Sequence, residues 1–238
     1  MKSKRGYLFL LFVFIFSLFT NVIEVNAMNT GFATEDLTEE EQSTFLSNVS
    51  ISLLTVEPVK RGVLCFDVNE QGKLVIGQKG ADRKEVCIYT VDGTFLYGYS
   101  FNCSQSYAVE WEDEYINIYF VRSDIIISLD SDGNILNIKG VQDTINNNSH
   151  RNDMLYSTSR TVGDTTYQIR NDMGIFNWFA SSYSQIITID DTGVERIIYD
   201  VSSTQFSNTV ALFVIIFMFI SATVAIVLWQ FVKLKGGN

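Results

Sequence analysis

Few residues in this sequence have the types and spacing that chemistry requires. The single histidine, His150, lies in an Asn-rich stretch, residues 142–153, that reads as a solvated loop. A lone imidazole joins a zinc site only with Cys or carboxylate partners at ligand spacing, and none stand near it in the chain. The three cysteines, Cys65, Cys87 and Cys103, form no CxxC pair, so no zinc ribbon or thioredoxin-type motif is present. They read either as small buried hydrophobes or as one disulfide with a thiol left over. Glu110-Trp111-Glu112-Asp113-Glu114 is the densest acidic cluster. Paired carboxylates can hydrolyse glycosides, but adjacent acids between two apolar runs read as a solvated hairpin tip. Asp130-Ser131-Asp132-Gly133-Asn134 has the opening of a calcium loop without its later acidic ligand, so it too reads as a turn. The chain has no nucleophile elbow, P-loop or dinucleotide fingerprint. The sequence therefore designates no catalytic residue, no metal ligand and no cofactor.

One cluster suggests contact rather than reaction. Phe176, Trp178 and Phe179 fall in residues 171–180, an insertion between two strand-like runs. Aromatic side chains in a loop form a candidate contact patch, and a loop folded back over its own strands is the alternative.

The elements that would position these residues are strands. From Gly62 onward, short alternating apolar runs are broken by Asp, Asn and Gly. One phrase recurs: an apolar run, Asp or Asn, usually two turn residues, Gly, and a second apolar run. Its copies carry Gly72, Gly93, Gly133 and Gly193, spaced 21, 40 and 60 residues apart, and the Gly93 copy looks shorter, with Asp92 directly before the glycine. Alternation buries one face of a strand. The glycine supplies the positive φ of a tight turn, and the Asx side chain bonds back to the turn backbone. Two hairpins make a four-stranded unit. The predicted strands are 62–68, 73–77, 86–91 and 94–101; 107–111, 115–121, 125–130 and 134–139; and 155–162, 165–171, 183–190 and 194–201. Four-stranded units of about forty residues are the signature of propeller blades.

Phe66-Asp-Val-Asn-Glu-Gln-Gly-Lys-Leu-Val-Ile-Gly, followed by Glu85-Val-Cys-Ile-Tyr-Thr-Val-Asp-Gly-Thr-Phe-Leu, resembles a blade of the NHL-type β-propellers. The resemblance implies an all-β fold of three four-stranded antiparallel propeller-like blades. It says little about activity, because that family holds binding platforms and some enzymes. Family members close a ring with about six blades, and this chain has three units. An open stack, a ring completed by two chains, or another β fold remain as alternatives. An open stack would expose the outer strands of the first and third units, and bare edges invite pairing.

The chain ends are apolar. Lys2, Lys4 and Arg5 precede a hydrophobic core of roughly fifteen residues and Val25-Asn26-Ala27, the pattern of a secretory signal over residues 1–27. Residues 28–58 are an acidic linker in which Thr38 and Glu41 fit a capping box, predicting a short helix near residues 39–46. Residues 59–202 hold the β-repeat. Residues 210–229 carry no charge, enough to span a hydrocarbon core of ~30 Å; the transmembrane helix is set at 210–232. Lys233 and Lys235 in the tail, 233–238, place it on the cytoplasmic side. The domain between the two ends is then outside the cytoplasm. It carries 12 Lys+Arg and 26 Asp+Glu over residues 28–209, a net charge of 12 − 26 = −14, which repels nucleic-acid phosphates and anionic lipid heads. Nucleic acid is excluded as a partner. Asn48, Asn102 and Asn147 head glycosylation sequons.

These readings lead to a membrane-anchored β-repeat module for protein or ligand recognition or assembly. An enzyme with a carboxylate site and an accessory subunit of a membrane complex are the alternatives. The topology is tested by cysteine labelling of intact cells. An impermeant reagent is expected to reach cysteines placed at Ser104 or Asn147 and to miss one at Gly236; labelling of the latter overturns the orientation.

Overall fold

The computed structural model describes residues 30–235, so the signal segment and the tail beyond Lys235 lie outside the described residues. The domain is mostly β, arranged as three antiparallel sheets, with one long apolar helix at its C-terminal end. Sheet I is the meander β3 (Val63–Val68), β4 (Leu74–Lys79), β5 (Lys84–Tyr89) and β6 (Phe95–Phe101). Sheet II is β7 (Tyr107–Glu112), β8 (Tyr115–Phe120), β9 (Ile125–Leu129) and β10 (Ile135–Val141). Sheet III is β11 (Ser159–Val162), β12 (Thr165–Arg170), β13 (Gln185–Ile189) and β14 (Glu195–Asp200).

The acidic segment before the repeat is more than a linker. β1 (Thr34–Asp36) pairs with β10, and β2 (Ser52–Leu54) pairs with β6. The fourth strands of the first two units thus gain a neighbour and β14 does not, while the first strands β3, β7 and β11, among them the expected open edge of the first unit at β3, keep a ladder partner on one side only among the described residues. Between the two short strands lies α1 (Glu39–Val49), closed by the predicted capping box of Thr38 and Glu41. Phe45 and Val49 anchor this helix in the core.

A second correction concerns residues 142–153. Only residues 142–144 are loop; from Ile145 on they belong to α2 (Ile145–Tyr156), and the following strand begins at Ser159 rather than 155. Thr144 caps the helix by accepting the Asn147 N–H at 3.1 Å. Asn147 is buried: its Oδ1 accepts the Ala33 N–H at 2.8 Å and its Nδ2 donates to the Ala33 carbonyl at 2.9 Å. A buried amide is available neither to a glycosyl donor nor, as cysteine, to an impermeant label, which leaves Ser104 as the informative outer position.

The four repeat turns share one hydrogen-bond plan. Gly72, Gly93, Gly133 and Gly193 have φ of 77°, 83°, 83° and 82°. Each glycine N–H donates to the carbonyl three residues earlier, on Asn69, Thr90, Asp130 and Asp190, at 2.9–3.0 Å. The side chain of that residue accepts the N–H four residues on, at 2.8–3.0 Å. The Gly93 copy is therefore not shorter; Thr90, not Asp92, fills the Asx role.

The sheets stack face to face in the order II, I, III. Ile116, Ile118, Ile127 and Leu129 on the front of sheet II pack with Val86, Ile88 and Val75 on the back of sheet I. The opposite face of sheet I, with Leu74, Ile76, Cys87 and Tyr89, packs with Tyr167, Ile169, Ile186 and Tyr199 of sheet III. Paired residues align across the repeats, so each front meets the next back. The free back of sheet II, with Ala108, Tyr119 and Ile126, is closed by Met154 of α2 and by Phe32. The free front of sheet III differs in chemistry. Where sheet II has Ile116, Ile118 and Phe120 and sheet I has Leu74, Ile76 and Gln78, sheet III has Thr166, Gln168 and Arg170.

The turns register the stack. A Cβ on Gly93 would lie 2.5 Å from the Ile198 carbonyl oxygen of β14, whereas a Cβ on Gly193 would meet nothing within 4 Å. Both glycines need positive φ, so Ala at either costs about 1 kcal/mol for the backbone. Gly93→Ala also pushes sheets I and III apart, and a total of about 2–4 kcal/mol is expected, within the range of overpacked sites. Denaturant melts of the two variants side by side check this; equal losses would show that the Gly93 turn does not lock the sheets together.

Candidate functional site

The aromatic insertion folds as a short 3-10 helix, Gly174–Phe179, on the connection between β12 and β13. Its shape is fixed by its own polar groups. Asn177 Oδ1 accepts the Met173 N–H at 2.8 Å, and Asn171 Oδ1 accepts the Ser184 N–H at 3.0 Å. Gly174 at φ 57° starts the turn. With Met173 buried, the aromatic side chains face outward. Phe176 stacks on Phe206 and Phe213, ring centroids 5.4 and 5.6 Å apart, and Phe179 on Phe213 at 4.9 Å. Both partners belong to α3 (Ser202–Lys235), the long apolar helix. Trp178 and Ile175 touch no part of the core and are 92% and 81% exposed. The candidate patch Phe176, Trp178 and Phe179 thus lies beside the head of α3, with two rings on it and one free.

The junction between domain and helix is short and packed. β14 ends at Asp200, Val201 is buried, and α3 begins at Ser202. Gln205 Nε2 donates to Ser182 Oγ at 3.1 Å, tying the first turn of the helix to the loop before β13. Val63 and Tyr183 exchange backbone hydrogen bonds of 2.8 and 2.9 Å, so sheet I is fastened to the same loop. A cavity of about 520 Å³ lies in this corner, lined by Lys60, Arg61, Lys79, Phe179, Gln205 and Asn208 among others. Among the described residues no carboxylate lines it. Lys60 has Glu57 at 3.4 Å; Arg61 and Lys79 are exposed and form no ion pair among the described residues. α3 carries a stretch, Ser202–Gln230, long and apolar enough to cross a membrane by length and composition.

The residues weighed for chemistry are placed differently from their reading in sequence. His150 is not a solvated loop residue. Its Nε2 lies 2.9 Å from Glu110 Oε2, and its ring meets Phe32 edge-on at 4.6 Å. Glu110 and Glu112 are not at a tip either. They turn onto the back of sheet II, where Asn117 Nδ2 donates to them at 3.2 and 2.8 Å and the Thr30 hydroxyl donates to Glu110. Only Asp113 and Glu114 form the exposed turn. The network closes the capped end of the stack. Its link to α2 depended on a helix that sequence periodicity did not reveal.

A second polar group joins the first strands of the three units. Asp67 of β3 accepts the Trp111 N–H of β7 at 2.8 Å and the Arg160 Nε–H of β11 at 3.1 Å. Burial pushes the Asp67 carboxyl up, and these two donors oppose that shift. An acidic cleft of about 320 Å³ opens beside it, lined by Glu70, Trp111, Asp113 and Glu114 among others. Asp130, the calcium-like residue, is occupied by the turn itself, and hydrogen bonds from Asn134 hold its carboxyl below the usual range. Among the described residues no group of three or more His, Cys, Asp and Glu is arranged to hold a metal ion. All three cysteines are free, and burial pushes the Cys65 and Cys87 thiols up to about 12. No protein-family model matches the chain, and no curated protein is significantly similar to it.

The His150–Glu110 pair leads to a pH dependence. The Glu110 hydrogen bond raises the His150 pKa above its ordinary 6.5, more than burial lowers it. A raised pKa stabilises the fold fully below the unfolded value and loses that stabilisation as pH rises through the folded value. Melting temperature is therefore expected to fall as pH is raised from below 6.5 past neutrality. Glu110→Gln should flatten this slope, and an unchanged slope in that variant would assign the titration elsewhere.

Proposed function

We propose that this is a single-pass membrane protein whose β-repeat domain lies outside the cytoplasm and acts as an oriented module for recognition of, or assembly with, a protein partner. The observation that carries the reading is the rigid junction. A single buried residue, Val201, separates the last strand from α3, and Phe206 and Phe213 of the helix are gripped by the loop of sheet III. A domain displayed for free capture gains reach from a flexible linker. A domain fused to its anchor holds one orientation over the bilayer, which suits a partner held in the same membrane. The accessory-subunit version of the reading is favoured on this ground. The Lys233 and Lys235 flank supports the orientation. The front of sheet III mixes Thr166, Gln168 and Arg170 of β12 with Ile187, Ile189 and Ile197 of β13 and β14, a half-polar face that suits a different protein better than the apolar contacts that join the sheets of this chain.

The test inserts a flexible Gly/Ser segment between Val201 and Ser202 in the full chain. The wild-type protein, extracted in mild detergent, is expected to co-purify with a partner at constant ratio. The insertion variant should fold and reach the membrane, yet lose that partner. Equal recovery from both forms, or no partner with the wild type, would defeat the oriented-assembly reading.

A further inference from the structure

We propose that the corner where the β-domain meets α3 is a lipid-binding site. Trp178 and Ile175 enter the interface of the bilayer, and Arg61 and Lys79, with Lys60 beside them, bind the phosphate of an anionic phospholipid headgroup. The proposal rests on the membrane-anchored reading and adds to it what the domain does with the membrane surface.

Depth is set by the helix. The polar residues of the first helical turns end at Thr209 and the apolar run begins at Val210, and twenty residues of helix span ~30 Å. Phe213 is the fourth residue of that run, and both Phe176 and Phe179 are stacked on it. The 3-10 helix is therefore held at the boundary between hydrocarbon and headgroups, to within about one helical turn of ~5 Å. At that level Trp178, Ile175 and Phe179 are 92%, 81% and 62% exposed. Indole and large apolar side chains are costly in water and favoured at the interface. The patch is continuous with the apolar surface of α3 through the Phe179–Phe213 contact.

Charge points to the same surface. The cavity at this corner reaches Asn208 and Thr209, the residues directly before the apolar run, so it opens at headgroup level. Three of the 12 Lys+Arg of residues 28–209 line it, in a domain with 26 Asp+Glu. Many of the acids sit elsewhere: the turns carrying Glu70, Asp92, Asp113, Glu114, Asp132 and Asp191 lie at the strand ends away from α3, whereas Asp82, Asp172 and Asp200 share the α3 end with Arg83, Lys84 and Arg170. The acids at the α3 end are thus offset by nearby cations, and a basic cavity with no carboxylate in its lining among the described residues opens there. Ser181 and Ser182 add hydroxyls to the lining. Phosphate bound by two cations and hydroxyl donors, with apolar side chains alongside for the acyl chains, is the chemistry of a phospholipid rather than of a free anion.

The experiment uses the full chain in vesicles of phosphatidylcholine with a minority of phosphatidylglycerol. The Trp178 fluorescence is taken as the difference between wild type and Trp178→Phe. Bromine placed shallow on the acyl chain is expected to quench it, and bromine placed deep to quench it less. The signal that remains in the variant comes from Trp111 and Trp229, and the Trp229 part is taken as its difference from Trp178→Phe/Trp229→Phe; quenching of Trp229 with none of Trp178 overturns the inference and leaves the anchor standing. If neither tryptophan is quenched, the anchor reading fails and takes the inference with it. For the headgroup, lipid retained on the protein after detergent extraction is expected to be enriched in phosphatidylglycerol. Each cation near an anionic surface is worth roughly a fivefold factor, so the double substitution R61E/K79E should lower enrichment by about tenfold or more. The same reversal at Lys73 and Arg196, at the far ends of their strands, should leave it unchanged. Equal enrichment in all three proteins, or displacement of the lipid by inorganic phosphate, overturns the headgroup assignment.

Discussion

Sheet I has no solvent face, and the rest of the molecule is arranged around that constraint. Its two sides carry Val75, Val86 and Ile88 on one and Leu74, Ile76, Cys87 and Tyr89 on the other, all at or near full burial. A single sheet with two apolar sides cannot stand in water, since each buried Val, Leu or Ile is worth about 1.5–3 kcal/mol relative to exposure. Two further sheets must cover it. Covering it in turn exposes their own outer faces, and the chain resolves each differently. Sheet II has its back closed by α2 and Phe32. Sheet III has no further sheet over its outer face and carries Thr166, Gln168 and Arg170 on the middle strand there, beside Ile187, Ile189 and Ile197. The order II, I, III, in which the first unit in sequence is the middle one in space, follows from which unit has two apolar faces.

Much of this was legible in the sequence, and the exceptions have physical reasons. The strands and their four turns were readable because both signals are local. Alternation marks a strand, and a glycine three residues after an Asx or Thr marks a turn whose hydrogen bonds all lie within five residues. The short strands β1 and β2 were not readable. Thr34–Asp36 and Ser52–Leu54 are three residues each and have no pattern of their own; they are strands because β10 and β6 offer them an edge. Helix α2 was missed for a similar reason. Asn and Ser disfavour helix interiors, and its sequence has weak amphipathic character. It is held by the Thr144 cap, by Asn147 on the Ala33 backbone and by Met154 in the core.

The same division runs through the candidate sites. The aromatic insertion stood out because Phe176, Trp178 and Phe179 interrupt a strand pattern, a local irregularity visible in one dimension. What gives them meaning is Phe213, over thirty residues on, and no local signal links the two. Lys60, Arg61 and Lys79 were invisible as a group because the cavity that joins them is built by sheet I, the loop before β13 and the head of α3. His150 and Glu110 were read separately, as a solvated histidine and a hairpin tip, since forty residues and an unpredicted helix lie between them.

The junction also changes how the domain's net charge should be understood. Net charge governs solubility and long-range encounter, but a surface within a Debye length of about 8–10 Å responds to the groups nearest it. Here the anchor sets which groups those are. Because β14 runs into α3 with one buried residue between them, the strand ends carrying Arg61 and Lys79 are held next to the head of α3, and the turns carrying Glu70, Asp92, Asp113 and Asp132 are a strand length of ~20 Å farther away. The orientation fixed by Val201, Gln205 and the Phe213 contacts sets the cations Arg61 and Lys79 of an acidic domain beside the head of α3. A flexible tether of the same composition would let the domain rotate, and its average charge would then dominate. In the proposed arrangement the packed junction is therefore the feature through which the fold would meet a membrane surface, and it is why a substitution that loosens Phe206 or Phe213 from the 3-10 helix would alter surface behaviour without touching a charged residue.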